Sequence, residues 1–144
     1  MALIEFENLP STQTPLSAEN LNHNFNELNN ANIYSTNETD TGKKWVNGKP
    51  IYRKVFVNQN GPTTTYTNLN HNISNIEEII NISGTMVNPT DLITTNIPMI
   101  GTSSLYGGAS INVRADGTKI QYESTADYSA NKCNFIIEYT KTTD

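Results

Sequence analysis

The segment Trp45-Val46-Asn47-Gly48-Lys49-Pro50-Ile51-Tyr52 constrains this chain more tightly than any other stretch. Asn-Gly is the preferred pair for a two-residue type I′ turn, because both central residues must take positive φ. The sequence therefore predicts a tight hairpin, with Trp45 and Val46 on one side and a strand through Ile51 and Tyr52 on the other. In that strand Ile51, Val55 and Val57 share one face by alternation, and Trp45 is expected to pair across the hairpin with Tyr52. Pro50 has no N–H to give to a ladder, so its nitrogen must face solvent or an edge. A chain that opens this way from Tyr34 onward is committed to β-structure.

The punctuation beyond the hairpin is of the same kind. Gly61-Pro62 marks a turn, and Thr63–Leu69 alternates around Tyr66. Ile79–Val87 is β-branched enough for a strand, while Ile73, Ile76, Ile79 and Ile80 also fit a helical stripe and allow a short helical turn before it. Pro89, Asp91, Pro98 and Gly101 mark loops, with Leu92-Ile93 and Met99-Ile100 as short strands or loop anchors. Ser110–Arg114 and Lys119–Glu123 flank an Ala115-Asp116-Gly117 turn and form a second hairpin, and Asn134–Lys141 is an apolar closing strand. Short strands separated by turns about every ten residues predict a mainly β fold, an antiparallel β-sandwich of jelly-roll-like form.

Ahead of this domain lies the clearest helix. Ser17 is a good N-cap, Glu19 suits the positive end of the helix dipole, and Leu16 can staple onto Leu21. Ala18, Leu21, Phe25, Leu28 and Asn32 recur at alternating spacings of three and four, an a/d seam with Asn22, His23, Asn24 and Asn26 elsewhere. Such a stripe is narrower than a core-facing helix usually shows. It permits two readings: a helix packed on its own domain, or a short oligomerisation helix around a symmetry axis. Residues 1–33 are thus an N-terminal arm and helix, and residues 34–144 the β-domain.

Composition narrows the chemistry. Only 16% of residues are charged, mean hydropathy is −0.50, and the polar balance is carried by 22 Asn and 19 Thr. This suits turn-rich β-structure with polar surfaces between subunits; an AT-rich coding bias would raise the same residues whatever the fold. Net charge is −5, and Lys43-Lys44 and Arg53-Lys54 are the largest basic clusters, expected as solvated strand-face charges, so nucleic acid is not an expected partner. No run is long enough for a membrane helix, and Met1–Pro10 lacks a basic start and an apolar stretch, so neither insertion nor standard secretion is expected. Cys133, the lone cysteine, excludes an internal disulfide and is expected to be a buried thiol.

Catalytic signals are thin. His23 falls on an outer helix position, and His71 is expected to bond local backbone. No cluster has metal-ligand spacing, no nucleophile motif or phosphate loop is present, and the adjacent Glu77-Glu78 point apart, so neither an enzyme nor a cofactor is expected. Binding is the better expectation. Tyr66, Tyr106 and Tyr128 are loop-adjacent aromatics able to stack on sugar rings, with Asn and Thr to bond hydroxyls.

Three ordered blocks carry a resemblance: Trp45–Phe56, Leu69–Gly84 (LNHNISNIEEIINISG) and Asp127–Lys141 (DYSANKCNFIIEYTK). Together they resemble a small β-domain of bacteriophage tail-fibre, baseplate and minor virion proteins. Asn8–Asn22, with its Pro-Leu-x-Ala-x-x-Leu-Asn pattern, is similar to the N-terminal entry of phage fibre proteins. The resemblance implies a virion location and a C-terminal β-sandwich knob that assembles as a homotrimer. Residues 1–15 would dock on another virion protein, and the knob would be displayed for attachment to a host-surface glycan. With only residues 1–33 ahead of the knob, a capsid head fibre or decoration protein is the alternative within that class. A freestanding carbohydrate-binding module is the alternative outside it.

Overall fold

The computed structural model describes residues 17–31, 33–100 and 110–142. Among the described residues a helix, α1 (Ala18–Ala31), precedes nine strands: β1 (Thr39–Lys44), β2 (Pro50–Asn60), β3 (Thr67–Asn70), β4 (Ile76–Val87), β5 (Thr94–Ile97), β6 (Met99–Ile100), β7 (Ser110–Ala115), β8 (Lys119–Ser124) and β9 (Lys132–Lys141). The fold is mainly β, and every strand pair is antiparallel. One sheet has five strands in the order β1-β2-β9-β4-β5, and the other has four in the order β3-β8-β7-β6.

Strict alternation along β9 explains its central place. Cys133, Phe135, Ile137 and Tyr139 are all fully buried, while Asn134, Ile136 and Glu138 face the other side. Met86, Ile97, Cys133 and Phe135 from the five-stranded sheet join Ile111, Ile120 and Tyr122 from the four-stranded sheet in one apolar cluster. Tyr122 and Phe135 meet within it at 4.8 Å between ring centroids, tilted by 46°. A second cluster of Ile73, Ile137 and Tyr139 continues the core along β9. Each such side chain contributes about 1.5–3 kcal/mol on burial, which sets the β-domain's stability. The chain passes from one sheet to the other at Ile97-Pro98, a cis peptide.

The Trp45–Lys49 hairpin forms, but with a different turn. Trp45 N donates to Lys49 O and Gly48 N to Trp45 O, both at 2.9 Å, so Val46, Asn47 and Gly48 make a three-residue loop. Only Gly48 takes positive φ, +83°; Asn47 instead accepts from Lys49 N through Oδ1 at 3.1 Å. That side-chain bond holds a type I turn followed by a left-handed glycine, the usual three-residue solution. Trp45 does not pair with Tyr52. Register sets Tyr52 opposite Asp40, its ring stacks on Tyr139 at 6.1 Å, and Trp45 Nε1 donates to Glu78 Oε2 at 3.0 Å.

Ile76, Ile79 and Ile80 of the isoleucine stripe lie in strand and Ile73 precedes it in irregular backbone, with no helical turn, and β4 begins at Ile76 rather than Ile79. Ile76, Ile79 and Ile82 oppose Lys141, Tyr139 and Ile137, so partners two residues apart meet residues three apart. Register shifts between Ile76 and Glu78 and between Ile79 and Asn81 insert the extra residues. Two bulges therefore keep these isoleucines on one face at a spacing of three, which imitates helical periodicity. Arg53-Lys54 is not a solvated pair. Arg53 is buried, with Nε and Nη2 donating to Glu138 Oε1 at 2.9 and 2.8 Å and Tyr34 4.4 Å from the guanidinium. Lys54 Nζ donates to His71 O at 3.1 Å. Register places Arg53 opposite Glu138 in mid-sheet, where a solvated charge has no room.

Candidate functional site

Ser17 caps α1 as expected, accepting from Asn20 N through Oγ at 3.2 Å. The helix lies against β1. Of the predicted seam, Ala18 is exposed and Leu21, Phe25 and Leu28 are 36%, 61% and 47% exposed, while Asn32 lies outside the described residues. Leu16 and the arm before it also lie outside them. The apolar stripe thus faces solvent in the single chain.

Tyr128 belongs to a concave site at one end of the five-stranded sheet, where β2 ends and β9 begins. Gly61 N donates to Asn131 O at 2.9 Å, Tyr128 N to Pro62 O at 2.9 Å, and Asn131 N to Tyr128 O at 2.8 Å. A Cβ on Gly61 would stand 2.0 Å from Tyr128 O, so only glycine permits this approach. Asp127 fixes the same turn by accepting from Ser129 N at 2.9 Å, and those hydrogen bonds hold its carboxyl below the usual range.

The facing wall is the loop from Asn88 to Ile93. Leu92 N donates to Asn88 O at 2.9 Å and Asn88 N to Ile93 O at 3.0 Å. Asn88 Oδ1 accepts from Thr90 N at 2.9 Å, and Asp91 Oδ1 from Ile93 N at 3.1 Å. Leu92, 71% exposed, takes φ of +59°, a rare state for a bulky residue. Met86, Asn88, Asp91, Ile93, Thr95, Tyr128 and Asn131 enclose a cavity of about 300 Å³. Sequence reading reached only Tyr128 of this set. Its other members sit in stretches that read as punctuation, and Asn88, Pro89 and Asp91 were the available signal.

Tyr66 stands apart from this cavity, 52% exposed before β3 on the outer face of the four-stranded sheet. Arg114 lies 5.0 Å from its ring and donates from Nε to Gln121 Oε1 at 2.9 Å; Gln121 Nε2 donates to Asn68 Oδ1 at 2.7 Å. The hollow they border is small, about 110 Å³. Tyr106 lies outside the described residues. A broader, shallow depression of about 510 Å³ lies on the outer face of the five-stranded sheet, lined by Val55, Ser83, Asn134 and Ile136 among others.

The remaining reactive groups have structural work. His71 is buried, its Nδ1 accepts from Ile73 N at 3.1 Å, and Nε2 therefore carries the proton donated to Asp116 O at 2.9 Å. Glu77 pairs with Lys49 at 2.6 Å, and Glu78 holds Trp45. Cys133 is fully buried, and desolvation pushes its thiol up to about 11. Among the described residues no group of His, Cys, Asp and Glu is arranged to hold a metal ion, and no helix is long and apolar enough to cross a membrane. Comparison with protein-family models, curated proteins and solved structures finds no match to this chain.

Proposed function

We propose that this chain is a phage virion structural protein, a short trimeric fibre with an N-terminal anchor and a β-knob displayed for host-glycan attachment. Residues 1–33 attach and trimerise, residues 34–144 form the knob, and residues 1–15 dock on a neighbouring virion protein. The chain has no enzymatic role in this reading. The observation that carries it is the exposed stripe of Leu21, Phe25 and Leu28 on a fourteen-residue helix. A helix of that length is marginal by itself, and three such stripes closing on an axis would bury what one chain leaves in water. The core cluster shared by both sheets supports a β-sandwich. Strands that alternate between sheets from β2 to β4 support its jelly-roll-like form.

Glycan attachment draws on the two described tyrosines, Tyr66 and Tyr128, and on avidity: three weak sites on one trimer act together on a repetitive surface. Sedimentation equilibrium of the full chain tests assembly, with the trimer mass expected. Phe25→Lys together with Leu28→Ser should yield folded monomers, since both positions are exposed in the single chain. A monomeric parent protein, or a trimer indifferent to both substitutions, would overturn the helix-seam reading. Mass spectrometry of purified virions tests location: the chain should copurify with particles. A head-fibre or decoration role is the form this reading takes if particles carry the chain on the capsid.

A further inference from the structure

The geometry points to the cavity between Tyr128 and the Asn88–Ile93 loop as a binding site for one uncharged hexopyranose ring, an inference that rests on the glycan-attachment reading above. Its volume of about 300 Å³ stands at the lower end of ligand clefts. It accepts a single ring rather than an extended chain. Met86, Ile93 and Tyr128 supply apolar wall for the C–H face of a pyranose, and Asn88, Asp91 and Asn131 supply polar groups for its hydroxyls.

Two of those polar side chains are set before any ligand arrives. Asn88 Oδ1 and Asp91 Oδ1 are held by Thr90 N and Ile93 N, at 2.9 and 3.1 Å. That leaves the Asn88 amide N–H₂ to donate and the second Asp91 oxygen to accept, the combination that vicinal hydroxyls require. Side chains already fixed in one rotamer lose little entropy on binding. The positive φ of Leu92 shows that the loop accepts backbone strain to hold this shape.

Charge narrows the ligand class. Among the described residues lining the cavity, Asp91 is the charged one and no Lys or Arg is present. A uronic acid, sialic acid or phosphorylated sugar would bring a second negative charge against that carboxylate. The Tyr66 hollow is a poorer candidate. It is about a third of the volume, and Arg114 lies over the tyrosine ring.

The test uses the full chain and a set of methyl glycosides: glucose, galactose, mannose and N-acetylglucosamine, each followed by saturation-transfer NMR and titration calorimetry. At least one neutral glycoside should bind in the millimolar range, and its uronic acid counterpart about tenfold more weakly. Asp91→Asn keeps the oxygen that accepts from Ile93 N, so the thermal midpoint should stay put while neutral-sugar affinity falls about tenfold. The same variant should lose the discrimination against the uronic acid, which a purely structural role for Asp91 would not produce.

Failure of every neutral glycoside to bind the folded chain would overturn the site. So would binding that survives Asp91→Asn but is lost in Tyr66→Ala. Particle association without sugar binding defeats the site and leaves the virion reading standing. Sugar binding that obeys these variants in a chain absent from particles upholds the site and defeats the virion reading.

Discussion

Thr140 is fully buried in β9, and its Oγ1 has no hydrogen-bond partner among the described residues. An unsatisfied hydroxyl in that position carries a desolvation cost with nothing to offset it. Thr140→Val keeps the shape and removes the orphan, so it should raise stability by about 1 kcal/mol, read from the urea midpoint at constant m-value. A loss of stability would show that the hydroxyl is bonded after all. Arg53 behaves oppositely, because its two bonds to Glu138 satisfy a charge that is nearly out of water. Glu138→Ala strands the guanidinium and should cost about 2–3 kcal/mol, whereas Arg53→Met with Glu138→Leu should recover most of that. The contrast shows where sequence reading stops at this scale. Ser17, Asp116 and the Nδ1 side of His71 were legible because their partners lie in local backbone, while the Nε2 partner of His71, Asp116 O, is 45 residues away. Arg53 was not, because its partner is 85 residues away and only the fold brings it near.

Strand β4 shows the same limit for an element. Its isoleucines recur every three residues, and no local rule separates that spacing from a helix until β9 is set beside it. The bulges resolve the ambiguity, and they also make a deletion experiment discriminating. Removing Ile80, the residue between Ile79 and Asn81 in the second bulge, leaves Ile79 free to face Tyr139 in an ordinary ladder. That variant should fold with a cost of roughly 1–2 kcal/mol, chiefly its half-buried side chain. Removing Ser83, inside the regular ladder, instead draws Ile80 into the ladder, turns Ile82 to the outer face opposite Ile136 and turns Asn81 inward opposite Ile137. Exposing Ile82 costs about 1.5–3 kcal/mol and burying the Asn81 amide without a partner about 1–3 kcal/mol more, so this variant should be clearly the less stable of the two. Circular dichroism and urea melts of the two deletions decide it, and equal tolerance would contradict the bulge assignment. The Asn-Gly hairpin was legible in position but not in turn type. Positive φ at Gly48 alone, with Asn47 bonded to Lys49 N, is a choice between two neighbouring geometries that the dipeptide does not dictate.

For the molecule as a whole, antiparallel β-structure was legible from turn spacing and alternation, whereas the Tyr128 cavity was not. Its walls come from two separated stretches, residues 86–95 and 128–131, joined only when β4 and β9 pair. The shared core, by contrast, has a collective property that alternation already implied: β8 and β9 bury ionisable groups together with their apolar ones. Burial pushes Cys133 up from 9.0 to about 11, and burial with the nearby Cys133 pushes Tyr122 up from 10.0 to about 12. Tyr139 is raised further in the same direction, first by burial and then by its hydrogen bond to Glu38. All three hold their protons more tightly folded than unfolded. Their contribution is therefore fully present below the unfolded pKa and is lost as pH rises through the folded values. Stability should be level from neutral pH to about 9, decline as Cys133 enters its window, and fall more steeply beyond about 10 as the tyrosines follow. The thiol accounts for a loss on the order of 2 kcal/mol across its window. Cys133→Ala should be weaker at neutral pH by about 1 kcal/mol for the small cavity. Its decline should begin one pH unit later, at about 10 where the tyrosines start. Urea midpoints of both proteins from pH 7 to about 11 test this, and parallel curves would show that the thiol ionises without opening the core.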